Sequence, residues 1–353
     1  MTALVPVRDD LRALEGYHSP QVSVRVRLNT NEAPGSPPPA FRDALAAELS
    51  RIEWHRYPDR SASQLRADLA AFHGVRADQV FVANGSNEVL QTLLLTYAGH
   101  GRTVATFEPT YQLHAHIARI SGATVVEGER RDDFTLDPAE VDRALAANPV
   151  VTFLCSPNNP TGMVEPEATV RDLLARVPGL LVVDEAYGQF APWSALALVD
   201  DSRPLVVTRT YSKTWAMAAA RIGYLVGPSW LVAELDKVVL PYHLDTAKQI
   251  AGRVALRFGA EMNDRVDAIV HERERIVARL GALPVHVWPS GANFILFRPL
   301  ERSGDLVWQA LVDRGVLVRN CSSWPRLDDC LRVTIGTEAE DDEFLAALEA
   351  VLA

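Results

Sequence analysis

The sequence predicts an α/β protein: a large domain with a mostly parallel, doubly wound sheet, then a smaller α+β C-terminal domain. Between about residues 40 and 240, short apolar runs alternate with helical stretches. Three of these runs, at residues 150–154, 180–183 and 205–208, are apolar without alternation. Strands buried on both faces of a parallel sheet need that pattern. Beyond residue 245 a long helical stretch and shorter strands follow, which indicates the second domain.

The first 40 or so residues are predicted to be irregular. The large domain is predicted to contain strands at residues 80–83, 103–107, 124–126, 150–154, 180–183 and 205–208. Its clearest helices are one ending at Tyr97 and two at 111–121 and 137–147. The small domain is predicted to contain a helical stretch at 245–280, strands at 285–288, 294–297, 316–319 and 331–335, and helices at 305–314 and 338–352. We therefore divide the chain into an N-terminal arm (1–30), a large domain (31–245) and a small domain (246–353).

Composition narrows the possible functions. The 353 residues are 48% hydrophobic and 23% charged, which is typical of a globular protein, and the net charge of −10 argues against a general polyanion-binding surface. The three cysteines fit neither a disulfide framework nor a zinc motif. No apolar run is long enough to span a membrane, and no secretion signal is recognisable, so we expect a cytoplasmic protein.

Lysine is scarce in this sequence. Of 35 basic residues only three are lysines, namely Lys213, Lys237 and Lys248. Any lysine that carries covalent chemistry must be one of these. Lys213 is the credible candidate, because hydroxyl groups surround it in the sequence and no such pattern surrounds the other two.

Four predicted strands end in polar residues. Because ligands gather at the carboxyl ends of strands in doubly wound sheets, these ends are candidate parts of a binding site. The first is followed by a turn at 84–88 that opens a helix and could hold a phosphate, or could simply be a capped helix start. Next come a rigid turn at 156–162 that presents an asparagine, the pair Asp184 and Tyr187, and a segment with Thr210, Ser212 and Lys213.

Each strand end alone has an ordinary structural explanation, but their coincidence indicates one chemistry. A lysine that forms a Schiff base needs a carbonyl cofactor. A pyridine ring needs a carboxylate that keeps its nitrogen protonated, and a cofactor phosphate needs a cradle. The strand ends offer all three.

Nine segments match one family in order over almost the whole chain. They are residues 28–32 (LNTNE), 56–59 (RYPD), 83–88 (ANGSNE), 109–111 (PTY), 156–162 (SPNNPTG), 183–187 (VDEAY), 210–213 (TYSK), 220–224 (ARIGY) and 332–336 (RVTIG). The chain resembles the fold-type I aminotransferases, and most closely the histidinol-phosphate aminotransferase family. The resemblance implies an aspartate-aminotransferase-like fold, pyridoxal 5'-phosphate as cofactor, and exchange of an amino group between L-histidinol phosphate and 2-oxoglutarate.

The resemblance also implies roles for individual residues. Lys213 would hold the cofactor and then move a proton, Asp184 would pair with the ring nitrogen, and Tyr111 would stack on the ring. Asn159 and Tyr187 would bind the ring hydroxyl. The phosphate would be held by Ser86, Asn87, Thr210, Ser212 and Arg221, and by Tyr57 of the neighbouring subunit. The last role implies a homodimer with shared active sites.

Substrate binding is assigned to both chain ends. Arg332 and Arg319 would clamp the substrate anion, because a guanidinium suits carboxylate and phosphate alike. Tyr17 and the segment from Asn29 to Glu32, which includes Asn31, would close over the substrate side. Family members usually have asparagine where this chain has Ala33, next to that segment.

Four alternatives remain open from the sequence. The remotest is a non-enzymatic binding protein, which would not need an acid, an amide and a lysine at converging strand ends. An aromatic amino acid aminotransferase differs from the leading prediction only in the substrate pocket. A decarboxylase acting on a phosphate-bearing substrate would keep the cofactor and break another bond. A nicotinamide-dependent oxidoreductase is remote, since no glycine fingerprint follows the first strand of the large domain.

Overall fold

The structure is a computed structural model that describes residues 5–12, 14, 16 and 22–353. Two sheets contain the strands of this described part. The strands are β1 (Val26–Leu28), β2 (Val80–Ala83), β3 (Thr103–Glu108), β4 (Thr124–Glu129), β5 (Val151–Cys155), β6 (Leu180–Asp184), β7 (Leu205–Thr210), β8 (Gly223–Val226), β9 (Val285–Val287), β10 (Phe294–Pro299), β11 (Val316–Asn320) and β12 (Leu331–Thr334).

Helices pack around both sheets. They are α1 (Pro39–Leu49), α2 (Ser63–His73), α3 (Ser86–Tyr97), α4 (Leu113–Ile120), α5 (Pro138–Ala146), α6 (Glu167–Arg176), α7 (Ser229–Val238), α8 (Thr246–Leu256), α9 (Gly259–Leu280), α10 (Gly304–Asp313) and α11 (Glu338–Leu352). Among the residues described, no helix has both the length and the apolar character that a membrane crossing requires.

The larger sheet has the strand order β2-β8-β7-β6-β5-β3-β4. Only β8 runs antiparallel to its neighbours, β2 and β7. Every residue of β5, β6 and β7 is buried, as expected for strands covered on both faces. Helices α3, α4 and α7 pack on one face, and α5 and α6 pack on the other. The predicted doubly wound α/β class is therefore confirmed.

The smaller sheet has the order β1-β11-β12-β10-β9, in which β1 is parallel to β11 and the remaining pairs are antiparallel. Helices α9, α10 and α11 bury their apolar sides against it. The carboxyl ends of β6 and β7 in the larger sheet and the strands β11 and β12 of the smaller one border the same cavity.

Three details differ from the sequence prediction. Strand β1 lies within the first 40 residues, which were expected to be irregular, because its Val26 and Leu28 are buried against β11. Strand β8 was missed. The helical stretch predicted at 245–280 is two helices, separated at residues 257–258. The first of these, α8, packs against α1 and α2. The domain boundaries at 30/31 and 245/246 stay a prediction.

Candidate active site

Fourteen of the sixteen predicted site residues line one cavity of about 240 Å³. The larger sheet contributes the side chains that follow its strands, and the smaller sheet contributes two arginines. These residues are Asn31, Glu32, Ser86, Asn87, Tyr111, Asn159, Asp184, Tyr187, Thr210, Ser212, Lys213, Arg221, Arg319 and Arg332. Tyr57 does not line the cavity, and Tyr17 lies outside the described residues.

Lys213 follows strand β7, and its amine reaches into the cavity. Its Nζ donates a hydrogen bond to the carbonyl oxygen of Thr30 at 3.0 Å. The pKa of Lys213 is lowered to about 7, mainly by burial and also by the positive charges of Arg332 and Arg221, against an opposing effect of Glu32. The amine is therefore partly neutral near neutral pH, as a nucleophile or proton carrier must be.

Asp184 ends strand β6 and is only 2% exposed. One carboxylate oxygen accepts the N–H of Ala186 at 3.1 Å, and the other lies 2.9 Å from Nε2 of His114. Because a carboxylate can only accept, Nε2 of His114 carries the proton. The imidazole is itself fixed by stacking on Phe153, with ring centroids 4.5 Å apart and planes 4° apart. The result is an oriented carboxylate on the cavity wall.

Helix α3 presents its N-terminus to the cavity. Its N-cap is Gly85, with φ of +81°, and no side chain of the described residues caps the helix there. A Cβ at Gly85 would lie 2.7 Å from Nη2 of Arg221, so glycine alone leaves room for the guanidinium. Arg221 has a left-handed backbone, with φ of +50°, and its Nη1 donates to Oγ of Ser212 at 3.3 Å.

This arrangement suits a phosphate group. Backbone N–H groups at a helix N-terminus bind anions, and the guanidinium and the hydroxyls add donors. The hydroxyl of Thr210 lies 3.0 Å from that of Ser212, so both belong to the same cluster as Arg221. With Lys213 and Asp184 on the same cavity, the residues present fit a cofactor that has a carbonyl group, a pyridine nitrogen and a phosphate.

Two aromatic phenols border the space between these groups. The hydroxyl of Tyr111 donates to Oδ1 of Asn87 at 3.1 Å. Tyr187 is buried, and its hydroxyl receives a hydrogen bond from Nδ2 of Asn31 at 2.9 Å. Burial raises the pKa of Tyr187 to about 12, so the phenol keeps its proton at neutral pH.

The two predicted arginines lie side by side, since Arg319 of β11 is the register partner of Arg332 of β12. Arg332 donates to Oδ1 of Asn159 and to the carbonyl oxygen of Asn29. The guanidinium of Arg319 lies 5.3 Å from the ring centre of Trp324. Both arginines are buried and border the cavity, which gives it positive charge on the side of the smaller sheet.

Sequence reasoning missed His114 and Trp324, and it gave Asn29 and Thr30 only a place in the segment that closes over the substrate side. Asn29 and Thr30 act through backbone carbonyls, which no side-chain pattern reveals. His114 lies 70 residues from Asp184 along the chain, so only the fold brings them together.

Comparison with known proteins defines the class. Residues 24–348 match the family model described as aminotransferase class I and II. The match agrees with the lysine, carboxylate and phosphate-type sites found in one cavity, and it favours an aminotransferase over the nicotinamide-dependent oxidoreductase. The fold and site are thus those of a class I and II aminotransferase.

Curated relatives narrow the family. The chain is 46% identical to the histidinol-phosphate aminotransferase of Frankia casuarinae, covering 98% of this chain and 89% of that protein. It is 44% identical to that of Mycolicibacterium smegmatis, over 97% and 92% of the two chains. The chain belongs to the histidinol-phosphate aminotransferase family.

A solved structure of the Sinorhizobium meliloti histidinol-phosphate aminotransferase, in complex with pyridoxal-5'-phosphate, has the same fold. Its TM-score to this chain is 0.88, at 23% sequence identity and with 100% of this chain and 99% of that chain covered. The likeness confirms the predicted fold-type I architecture.

Proposed function

We propose that this protein transfers an amino group from L-histidinol phosphate to 2-oxoglutarate, giving imidazole-acetol phosphate and L-glutamate, a reaction of histidine biosynthesis. The observation that carries the proposal is a single cavity in which Lys213, Asp184 and two buried arginines converge. The curated relatives named above support the same reaction.

The cofactor is pyridoxal 5'-phosphate, which withdraws electrons from the substrate α-carbon when it is bound. In our proposal Lys213 binds it covalently, and Asp184 holds a proton on its ring nitrogen. Asn159 and Tyr187 bind the ring oxygen, and Tyr111 covers the ring. The phosphate is held by Ser86, Asn87, Thr210, Ser212 and Arg221.

Side chains of the protein bind the substrate and move its proton. Arg332 and Arg319 hold the phosphate of histidinol phosphate and, in the other half of the reaction, a carboxylate of the keto acid. A guanidinium serves both, because each anion presents paired oxygens to its planar fork. Nζ of Lys213 would take the proton from the substrate α-carbon and deliver it to carbon C4′ of the cofactor. The segment that includes Asn31 and Glu32 closes the substrate side.

A steady-state comparison tests this function. With 2-oxoglutarate as acceptor, kcat/KM for histidinol phosphate should exceed that for phenylalanine by about 100-fold or more, because its phosphate offers the two arginines more negative charge and more acceptor oxygens than the single carboxylate of phenylalanine does. Lys213→Ala should abolish transfer. A preference for phenylalanine would establish the aromatic aminotransferase instead, and carbon dioxide release without keto acid would establish a decarboxylase.

We further infer a homodimer with shared active sites. Tyr57 is 81% exposed and stacks on Tyr242, with ring centroids 4.7 Å apart. Trp54 and Leu240 are also highly exposed. Large exposed apolar side chains of this kind favour a protein contact.

A cytoplasmic location is supported by three cysteines that are buried free thiols.

Mixing two inactive variants tests the shared site. In a hybrid dimer of Lys213→Ala and Tyr57→Ala subunits, one site carries both defects and the other carries none. Equal mixing with subunit exchange should therefore recover about a quarter of the parent activity. Recovery of none, with both variants dimeric by light scattering, would place Tyr57 outside the partner's site.

A further inference from the structure

A chain of hydrogen bonds joins strand β12 to the phenol of Tyr187 through Asn31. The backbone N–H of Asn31 donates to Oγ1 of Thr334 at 2.9 Å, and the hydroxyl of Thr334 lies 3.2 Å from Oδ1 of Asn31. Nδ2 of Asn31 then donates to the hydroxyl of Tyr187 at 2.9 Å. The three side chains are between 1% and 5% exposed, so water does not compete for these bonds.

Donor and acceptor chemistry fixes the direction of this chain. A backbone N–H can only donate, so Oγ1 of Thr334 accepts from Asn31. The single proton of that hydroxyl is then free for Oδ1 of Asn31. With its oxygen held by Thr334, the amide presents its NH2 group to Tyr187. An NH2 group can only donate, so the oxygen of Tyr187 accepts, and the phenol proton is left for another partner.

The remaining partner must lie in the cavity, which Tyr187 lines. The charged or titratable groups that act on the phenol are Arg332, Asp184 and the thiol of Cys155. Lys213 faces the tyrosine ring, with Nζ 5.8 Å from its centre. This step rests on the proposed function, in which pyridoxal phosphate occupies the cavity. The acceptor that remains for the phenol proton is then the ring oxygen of that cofactor.

We propose that Thr334 is a positioning residue: by fixing the orientation of the Asn31 amide, it directs the proton of Tyr187 toward the ring oxygen of the bound cofactor. Without the Thr334 hydroxyl the amide can turn over. Its oxygen would then face Tyr187 and take the proton away from the cofactor. Thr334 touches neither substrate nor cofactor, and it acts only through Asn31 and Tyr187.

The visible absorption of the holoenzyme as a function of pH tests this inference. A donor on the ring oxygen stabilises negative charge there, which favours loss of the proton from the nearby Schiff-base nitrogen. Thr334→Val should therefore raise the midpoint of the absorption change by about 0.5 to 1 pH unit. Thr334→Ala, which adds no bulk, should do the same, and Thr334→Ser should keep the parent midpoint.

Two further variants separate positioning from general damage. Thr152→Val makes the same substitution at a buried threonine of β5 whose hydroxyl has no partner among the described residues, and it should leave the midpoint unchanged. In a Tyr187→Phe background, Thr334→Val should cause no additional shift, because the proton it directs is gone.

The inference is overturned if Thr334→Val and Thr334→Ala keep the parent midpoint, or if their shift persists in the Tyr187→Phe background. Its failure is distinct from failure of the proposed function. An unshifted midpoint in an enzyme that still transfers the amino group overturns the inference alone. A holoenzyme that shows the expected shifts but rejects histidinol phosphate supports the inference and overturns the proposed substrate.

Discussion

Asp184 and Glu185 are consecutive residues at the end of strand β6, and both are 2% exposed, yet their surroundings differ. Asp184 faces the cavity and accepts from His114 and from one backbone N–H. Glu185 lies away from it and accepts from Arg209, from the hydroxyl of Ser194 and from the N–H of Ala195, at 2.6–2.7 Å. One carboxylate is matched by a full positive charge, and the other is oriented toward a space that a ligand can enter.

The arginines on these two sides of the strand end, one facing the cavity and one behind it, differ in the same way. Arg209 is paired with Glu185, whereas Arg332 donates to an amide oxygen and a backbone carbonyl and has no ion pair among the residues described. Neutral acceptors hold a guanidinium in place without cancelling its charge. The comparison teaches that Asp184 and Arg332, which face the cavity, are oriented by neutral groups, while Glu185 and Arg209 behind it neutralise each other and stabilise the fold.

The largest effect should come from Asp184→Asn. The amide keeps the size of the side chain but cannot stabilise a protonated ring nitrogen, so kcat should fall by about 1,000-fold or more, or about 4 kcal/mol in activation free energy. The free energy of unfolding should change little. Stopped-flow measurement of the half-reaction with histidinol phosphate, together with denaturant unfolding, checks both parts.

Glu185→Ala should give the opposite result. Removing this carboxylate leaves Arg209 buried without its partner, which should lower the free energy of unfolding by about 3–5 kcal/mol. The activity per folded molecule should stay within about threefold of the parent, because Glu185 does not line the cavity. If Glu185→Ala lost activity as severely as Asp184→Asn while remaining folded, the distinction between the two regions would be wrong.

Sequence reasoning could assign Asp184 but not Glu185. Neighbouring residues of a strand point to opposite faces, so the pattern establishes that the two acids separate. The resemblance to a family then supplied the role of Asp184. The partner of Glu185 is Arg209, 24 residues away on β7, and only the pairing of β6 with β7 brings them together.

The same limit applies to the fold. Apolar runs predicted β5, β6 and β7 well, because burial on both faces leaves a strong signal. Strand β1 was missed because it is three residues long and its Arg27 is exposed between two buried residues. The bond between Thr334 and Asn31 spans 303 residues, and no local pattern indicates it.

The lowered pKa of Lys213 predicts how the cofactor-free protein captures pyridoxal phosphate. Only the neutral amine attacks the carbonyl, so the capture rate should rise with pH through a midpoint of about 7. Arg332→Met removes a positive neighbour and should move the midpoint to higher pH. Arg298→Met, an exposed arginine of β10, should leave it unchanged.

Absorbance after rapid mixing measures this profile. A midpoint near the usual lysine value of about 10.4 would show that burial and the neighbouring arginines do not lower the pKa of Lys213.

The smallest effect should come from Trp324, whose ring contacts the guanidinium of Arg319. The guanidinium of Arg319 lies over this ring, whose electron-rich face attracts a positive charge. Trp324→Ala should therefore loosen the arginine and raise KM for histidinol phosphate by about tenfold, or about 1.4 kcal/mol, with kcat less affected. Trp230→Ala, an exposed tryptophan of α7, is the control and should leave KM unchanged. A loss confined to kcat would show that Trp324 acts on the chemical step instead of on the anion, and the cavity would then position this arginine by contacts other than the ring.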